Sequence, residues 1–180
     1  MLETARLTLV PSEPRQLLAF YEEPDQPVRV NGYQVADELR AFYAGVRDQI
    51  SPQWLSGLRN ATGADPWRHG FFLVERSRGE VIGTAGFKGP PDAEGIVEIA
   101  YGVMPSVEGR GYATEAAGAL VRFAAADDRV RLIRAHTLPE LNASSRVLRK
   151  CGFVHIGQVV DSEDGPVWRW ERPAQHIGTP

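Results

Sequence analysis

Leu7 and Leu9 alternate with polar neighbours over residues 6–10 before Pro11, which predicts a short opening strand. Ser12 is a capping residue type and predicts a helix over 13–22, stopped by Pro24. Leu39, Phe42, Tyr43 and Val46 recur at three- and four-residue spacing, the pattern of a helix within 37–50. From there to Arg68, proline, glycine and two tryptophans give no period. Trp54 and Trp67 either line a pocket or pack as satellite core under a long loop.

From Gly70 the period shortens to two. Phe71–Glu75 and Glu80–Phe87 flank Arg76-Ser77-Arg78-Gly79 as the arms of a hairpin. A third run, 96–104, ends at Pro105 and puts Ile96, Glu98, Ala100 and Gly102 on one face, with Val97, Ile99, Tyr101 and Val103 on the other. Ala113, Ala116, Ala117, Leu120, Phe123 and Ala124 then form one stripe of a helix over 113–126. A strand over 130–137 is broken by Pro139. Asn142 caps a short helix whose face is Val147, Leu148 and Cys151, and Gly152 stops it. Strands over 153–160 and 167–171 pair across the acidic turn 161–165, and the tail 173–180 frays. Strands and helices interleave without a repeat, so the expectation is one α/β domain over 1–172, with a variable stretch at 25–68.

Composition narrows the function. Twenty Lys+Arg against 23 Asp+Glu leave a net charge of −3, too balanced for a protein built around a phosphate backbone, so no nucleic-acid partner is expected. The lone Cys151 excludes an intramolecular disulfide and a cysteine-rich zinc site, and points to a reducing compartment. Glu3 and Arg6 interrupt the start where a signal peptide needs an apolar core, and no stretch approaches the ~20 apolar residues of a membrane span. A cytoplasmic protein with no membrane partner is expected.

The chemistry concentrates at Gly109-Arg110-Gly111-Tyr112-Ala113-Thr114, between a strand and an amphipathic helix. Unpaired N–H groups cluster at a helix start, and glycines let an anion approach them, so the turn is either a pyrophosphate cradle or simply a tight turn. A P-loop would need a lysine that is missing here. A dinucleotide fingerprint would need a third glycine where Thr114 stands and an acid where His136 and Thr137 stand.

This turn, with Glu98-Ile-Ala-Tyr101 before it, resembles motif A of the GCN5-related N-acetyltransferases (GNAT). Asn142-Ala-Ser-Ser145 through Gly152-Phe153 resembles motif B as it stands in the Rim-type ribosomal-protein N-terminal acetyltransferases, and Thr4-Ala-Arg6-Leu-Thr-Leu9 resembles that branch's opening strand. The resemblance runs from about Val81 to Trp170 and fades across 25–68. It implies a GNAT-like α/β fold, a mixed, strongly bent sheet that splays beside acetyl-coenzyme A (acetyl-CoA). It also implies direct transfer of acetyl to an amine, either a small molecule or a protein N-terminus, and a homodimer. Carried over by position, the amides of Gly109, Arg110, Gly111, Tyr112, Ala113 and Thr114 hold the pyrophosphate, and the backbone of Tyr101 to Val103 pairs with pantetheine. Glu108 departs from the family's usual Gln or Arg and is expected to face solvent.

Transfer requires a deprotonated amine, a held oxyanion and a stabilised thiolate. Glu98 is the candidate base through water, or else a structural carboxylate, with His136 in reserve. Val103 N–H is the oxyanion donor if its strand bulges as the family's does. Leu148 stands where many relatives carry an acidic tyrosine, and Ser145 is the substitute donor to sulfur. Asn142 is a helix cap or a cofactor contact, and Cys151, Trp168 and Trp170 are packing. His69, His136, His155 and His176 lack metal-ligand spacing, so no metal is expected. The alternative is a non-catalytic acyl-CoA binding module with the same cradle.

Overall fold

The computed structural model describes residues 1–23, 26–45, 50–161 and 164–174. Val46, positions 162–163 of the acidic turn, Pro24 and the tail beyond Ala174 lie outside them. The opening run folds as β1 (Leu2–Glu3) and β2 (Leu7–Pro11), and the helix after it, α1 (Pro14–Glu22), starts one residue later than Ser12 predicts. Pro14 suits the first helical position because it has no N–H to waste, so Glu13 is the cap residue and the Gln16 side chain accepts its N–H at 3.4 Å. Ser12 is buried and gives its N–H to the Gly70 carbonyl instead.

The stretch 26–69, in which the sequence predicts only the helix within 37–50, contains β3 (Arg29–Val30), β4 (Tyr33–Val35), α2 (Asp37–Ala44), α3 (Pro52–Asn60) and α4 (Pro66–His69). The helix expected within 37–50 is described over Asp37–Ala44, with Gly45 as its C-cap, and positions 46–49 of that expectation lie outside the described residues. Ser51 and Asp65 cap α3 and α4 through the amides of Trp54 and Trp67.

The hairpin strands β5 (Phe71–Glu75) and β6 (Glu80–Phe87) fall where the alternation predicts. They are followed by β7 (Ile96–Val103), α5 (Tyr112–Ala125), β8 (Leu132–Thr137), α6 (Ala143–Lys150), β9 (Val154–Asp161) and β10 (Gly165–Pro173). Pro173, expected in a frayed tail, is paired with Leu132, and Ala174 N–H reaches the Arg131 carbonyl at 2.9 Å.

The sheet runs β1-β2-β5-β6-β7-β8-β10-β9, with β4 beside β6 and β3 beside β4. It is antiparallel from β1 to β7 and again from β8 to β9. The β7–β8 junction is parallel and short: only Ile96, Val97 and Glu98 face Leu132, Ile133 and Arg134. Beyond Glu98 the two strands part, so β7 stays bonded to β6 on one edge and opens on the other. The crossover α5 packs on β7 through Ala116, Ala117, Leu120 and Ala124, all fully buried, whose mostly small side chains let the helix sit close to the sheet. Burying Leu120 alone contributes about 2 kcal/mol. Trp67 and Phe123, both half-buried, close this layer with ring centroids 5.0 Å apart, so Trp67 packs against the core.

Candidate active site

The open edge of β7 follows from strand geometry. Lys88 N–H donates to the Glu98 carbonyl at 2.9 Å and Met104 N–H to the Ile82 carbonyl at 2.8 Å, so the even-numbered residues of β7 turn their backbone groups to β6. By the strict alternation of an antiparallel ladder, the N–H and C=O of Tyr101 and Val103 point the other way, into the gap left by β8. The register with β6 is continuous from Phe87↔Ile99 to Gly83↔Val103, so the expected bulge is absent. Alternation by itself aims Val103 N–H into the gap. Gly83 makes the fit possible, because a Cβ there would lie 2.3 Å from the Gly102 carbonyl oxygen.

The turn before α5 meets this edge. Gly109 and Gly111 both take left-handed backbone, with φ of 73° and 86°, and Gly111 is the N-cap residue of α5. The first intrahelical bond is Glu115 N–H to the Gly111 carbonyl, leaving the amides of Tyr112, Ala113 and Thr114 without a helical partner. The turn is held from behind. Glu115 accepts from Thr4 Oγ1 at 2.5 Å, from Arg6 N–H at 2.6 Å and from Arg6 Nε at 3.0 Å. Arg6 also donates to the Arg110 carbonyl at 3.0 Å and stacks over the Tyr112 ring at 4.3 Å. Burial would raise the Glu115 pKa, but the bonds from Thr4 and Arg6 outweigh it and hold the carboxyl below the usual carboxylate range.

A cleft of about 350 Å³ runs along β7 to this helix start. Tyr101, Gly102, Val103, Gly109, Gly111, and the first turn of α5 line it, with Ala143, Ser144 and Val147 of α6 opposite. The side chains of Arg146 and Lys150 stand at its edge, cations that sequence reasoning passed over although their i, i+4 spacing puts them on one face. Arg110 does not line the cleft. Glu108 is exposed at its rim.

Ser145 is not in the cleft wall either. It is 1% exposed, its Oγ accepts from Asn142 N–H at 3.0 Å and donates to the Asn142 carbonyl at 2.9 Å, and Asn142 Oδ1 accepts Ser145 N–H at 2.9 Å. This reciprocal capping box commits both residues to starting α6. Among the hydroxyl-bearing residues that do line the cleft is Tyr101, whose Oη is 3.1 Å from Ser144 Oγ; burial pushes its pKa up to about 12, so it stays a neutral donor. Cys151 is buried against the Thr114 carbonyl, and burial raises its pKa. Trp170 is core and donates to Thr137, while Trp168 is half-buried beside His155.

Glu98 and His136 come together. Glu98 Oε1 sits 2.9 Å from Lys88 Nζ and 3.1 Å from His136 Nδ1, and Arg169 Nε points at His136 Nε2 at 3.4 Å. That arrangement places the ring proton on Nδ1, facing the carboxylate. The Glu98 side opens on a small cavity of about 190 Å³ whose walls include Ala100 and Tyr101. Those two residues also line a larger cavity of about 340 Å³ on the even-numbered face of β7, where the pairs Thr84↔Gly102 and Gly86↔Ala100 leave room. Trp54 belongs to that second cavity. Glu38 of α2 accepts from Ser106 N–H at 2.8 Å and from its hydroxyl, tying the helix that carries Phe42 to the turn before α5.

Among the described residues no group of three or more His, Cys, Asp or Glu is placed to hold a metal ion, and no helix is long and apolar enough to cross a membrane. A splayed strand with free backbone groups, leading to unpartnered helix amides flanked by Arg146 and Lys150, fits a long anionic thioester cofactor such as acetyl-CoA. Comparison with known proteins agrees. A family model described as the acetyltransferase (GNAT) domain matches residues 6–154. The chain is 28% identical over 156 residues to the uncharacterized N-acetyltransferase YjdG of Bacillus subtilis (strain 168), covering 86% of this chain and 89% of that protein. The fold is shared with RimL, a ribosomal L7/L12 alpha-N-protein acetyltransferase solved with coenzyme A (TM-score 0.63, 16% identity, 96% of this chain and 97% of that one). It is shared equally with the aminoglycoside acetyltransferase AAC(6')-Ib, also solved with coenzyme A (TM-score 0.61, 22% identity, 95% and 96%). The chain belongs to the GNAT acetyltransferase family, and its activity is acetyl-CoA-dependent acetylation of an amine.

Proposed function

We propose that the protein transfers acetyl directly from acetyl-CoA to a primary amine within one ternary complex. The observation that carries the reading is the meeting of two sets of unpaired backbone N–H groups, on β7 and at the α5 start, in one cleft. Pyrophosphate is assigned to the amides of Gly109, Arg110, Gly111, Tyr112, Ala113 and Thr114, where helix-start charge favours an anion. Pantetheine is assigned to the open edge from Tyr101 to Val103, and the 3′-side phosphate to Arg146 and Lys150.

The amine attacks the thioester carbonyl, and Val103 N–H takes the developing oxyanion. Glu98 receives the amine's proton through water in the cavity it shares with Ala100 and Tyr101. The C–S bond then breaks with its electron pair on sulfur, and the Tyr101 hydroxyl, not Ser145, hydrogen-bonds the departing thiolate. The acceptor is a small-molecule amine or a protein N-terminus. The exposed stripe Val154, Ile156 and Val160 on the free edge strand β9 supports a homodimer, and the single buried thiol suits a cytoplasmic setting.

The test is thiol release from acetyl-CoA by the full chain across amines and peptides, with coenzyme A affinity measured in parallel. Turnover on at least one acceptor is expected. Tight coenzyme A binding without turnover on any acceptor would refute transfer and leave a binding module.

A further inference from the structure

The cavity of about 340 Å³ on the even-numbered face of β7 has a chemistry that bears on the acceptor. It meets the cofactor cleft at Phe42, Tyr101 and Gly102, which line both. Phe42 is 48% exposed at this junction, so its ring is open to a ligand from either side. Tyr21, Tyr43 and Trp54 form the outer wall. Their rings hold one another edge to face, Tyr21 to Tyr43 at 5.7 Å and Tyr21 to Trp54 at 5.6 Å, both at 82°.

Two of these residues spend their polar ends on the protein. Tyr43 Oη lies 2.5 Å from Thr84 Oγ1, and Trp54 Nε1 donates to the Arg68 carbonyl at 3.3 Å. What they offer a ligand is therefore apolar ring surface. Burial raises the pKa of both tyrosines, so neither supplies a phenolate. Among the described lining residues there is no carboxylate. The one full charge is Arg68, exposed at the mouth and 3.4 Å from Asp65, and His69 takes the Asp65 N–H on Nδ1 while burial holds its pKa down.

A polyamine or an aminoglycoside brings several ammonium groups, and each one buried without an anion costs more than the contacts return. A single amine on a flat apolar body meets that cost once, at the nitrogen that must be neutral to react. Desolvation in the same walls also lowers that amine's pKa toward the neutral, attacking form. We infer that the acceptor is a small monoamine carried on an aromatic body of one or two rings, seated between Phe42, Tyr43 and Trp54 with its nitrogen toward Gly102. This rests on the reading that the protein acetylates an amine. The cavity's size, at the lower end of small-molecule sites, suits a body of that kind.

The experiment compares initial rates of thiol release with tryptamine, 2-phenylethylamine, spermidine, kanamycin and a short peptide with a free N-terminus, alongside calorimetric binding of tryptamine in the presence of coenzyme A. The aromatic monoamines are expected to exceed spermidine and kanamycin in kcat/KM by about tenfold or more. Trp54→Ala should raise the KM for tryptamine about tenfold with coenzyme A affinity unchanged, since Trp54 does not line the cofactor cleft. Arg68→Glu, at an exposed position, should keep the fold and shift preference toward spermidine. Turnover on spermidine, kanamycin or the peptide in preference to the aromatic amines would overturn the acceptor class and leave acetyl transfer standing. Saturable tryptamine binding that Trp54→Ala abolishes, with no turnover on any amine, would uphold the cavity assignment and refute transfer.

Discussion

Glu115 is the residue through which the amino terminus fixes the cofactor turn, and replacing it with glutamine isolates that function. Its two carboxylate oxygens receive Thr4 Oγ1, the amides of Arg6 and Leu7, and Arg6 Nε and Nη2, all within 3.2 Å. Glutamine keeps one acceptor oxygen and turns an NH₂ toward the guanidinium, so two charge-assisted bonds are lost. Such bonds contribute about 1.5–3 kcal/mol each where solvent is excluded. Glu115 is 14% exposed but Arg6 is 42% exposed, so water recovers part of the loss, and about 2–3 kcal/mol in all is the reasoned cost. At roughly 2–4 °C per kcal/mol for a chain of this size, the thermal midpoint should fall by about 4–12 °C at pH 7.

The pH dependence gives a second readout. The folded-state pKa of Glu115 is depressed, so the stability it contributes is present above its ordinary value of 4.5 and is lost as pH falls through the lower folded value. The gap between wild type and Glu115→Gln should be full at neutral pH and close in acid. Urea titrations at several pH values measure it. A variant as stable as wild type at pH 7, or a gap that stays constant into acid, would refute the clamp.

Ser145→Ala should cost about 1 kcal/mol through the lost capping box while leaving kcat intact; a fall in kcat beyond tenfold, read by thiol release, would return Ser145 to the chemistry. Gly83→Ala puts a methyl 2.3 Å from the Gly102 oxygen and 3.0 Å from Val103 Cα, so about 1–3 kcal/mol of stability and most of the turnover should go, and wild-type values for both would contradict the tight β6–β7 contact. Glu98→Gln should lose activity mostly at low and neutral pH, with recovery toward wild type once the amine deprotonates unaided; an unchanged pH–rate profile would clear Glu98 as the base.

The strands and helices of the second half were legible because each is bounded by strong local signals. Pro105, Pro139 and Gly152 fall at breaks, and the first half of β7 alternates. The glycine turn was legible for the same reason, since positive φ at Gly109 and Gly111 is a demand only glycine meets easily. Within residues 26–68 only the helical period of α2 was legible; the other elements were not, because they are short and held by distant partners: β4 rests on two parallel pairs with β6, and Gly57 interrupts the pattern of α3. The Ser51-Pro52 and Asp65-Pro66 starts were readable as caps in hindsight. Ser145 shows the other limit. A hydroxyl at the right place in a motif says nothing about which backbone group already holds it. Spacing alone also could not show that Lys88, on β6's outgoing turn, closes on Glu98.

The alternating backbone of β7 makes one strand carry two populations of amide proton. Those of Gly102 and Met104 belong to the ladder with β6 and should exchange with deuterium only when the sheet opens. Those of Tyr101 and Val103 face the gap and should exchange quickly in the free protein, then slow on addition of coenzyme A. The cofactor would thereby finish an edge the fold leaves incomplete, and residue-resolved exchange would register its arrival as protection at every second position.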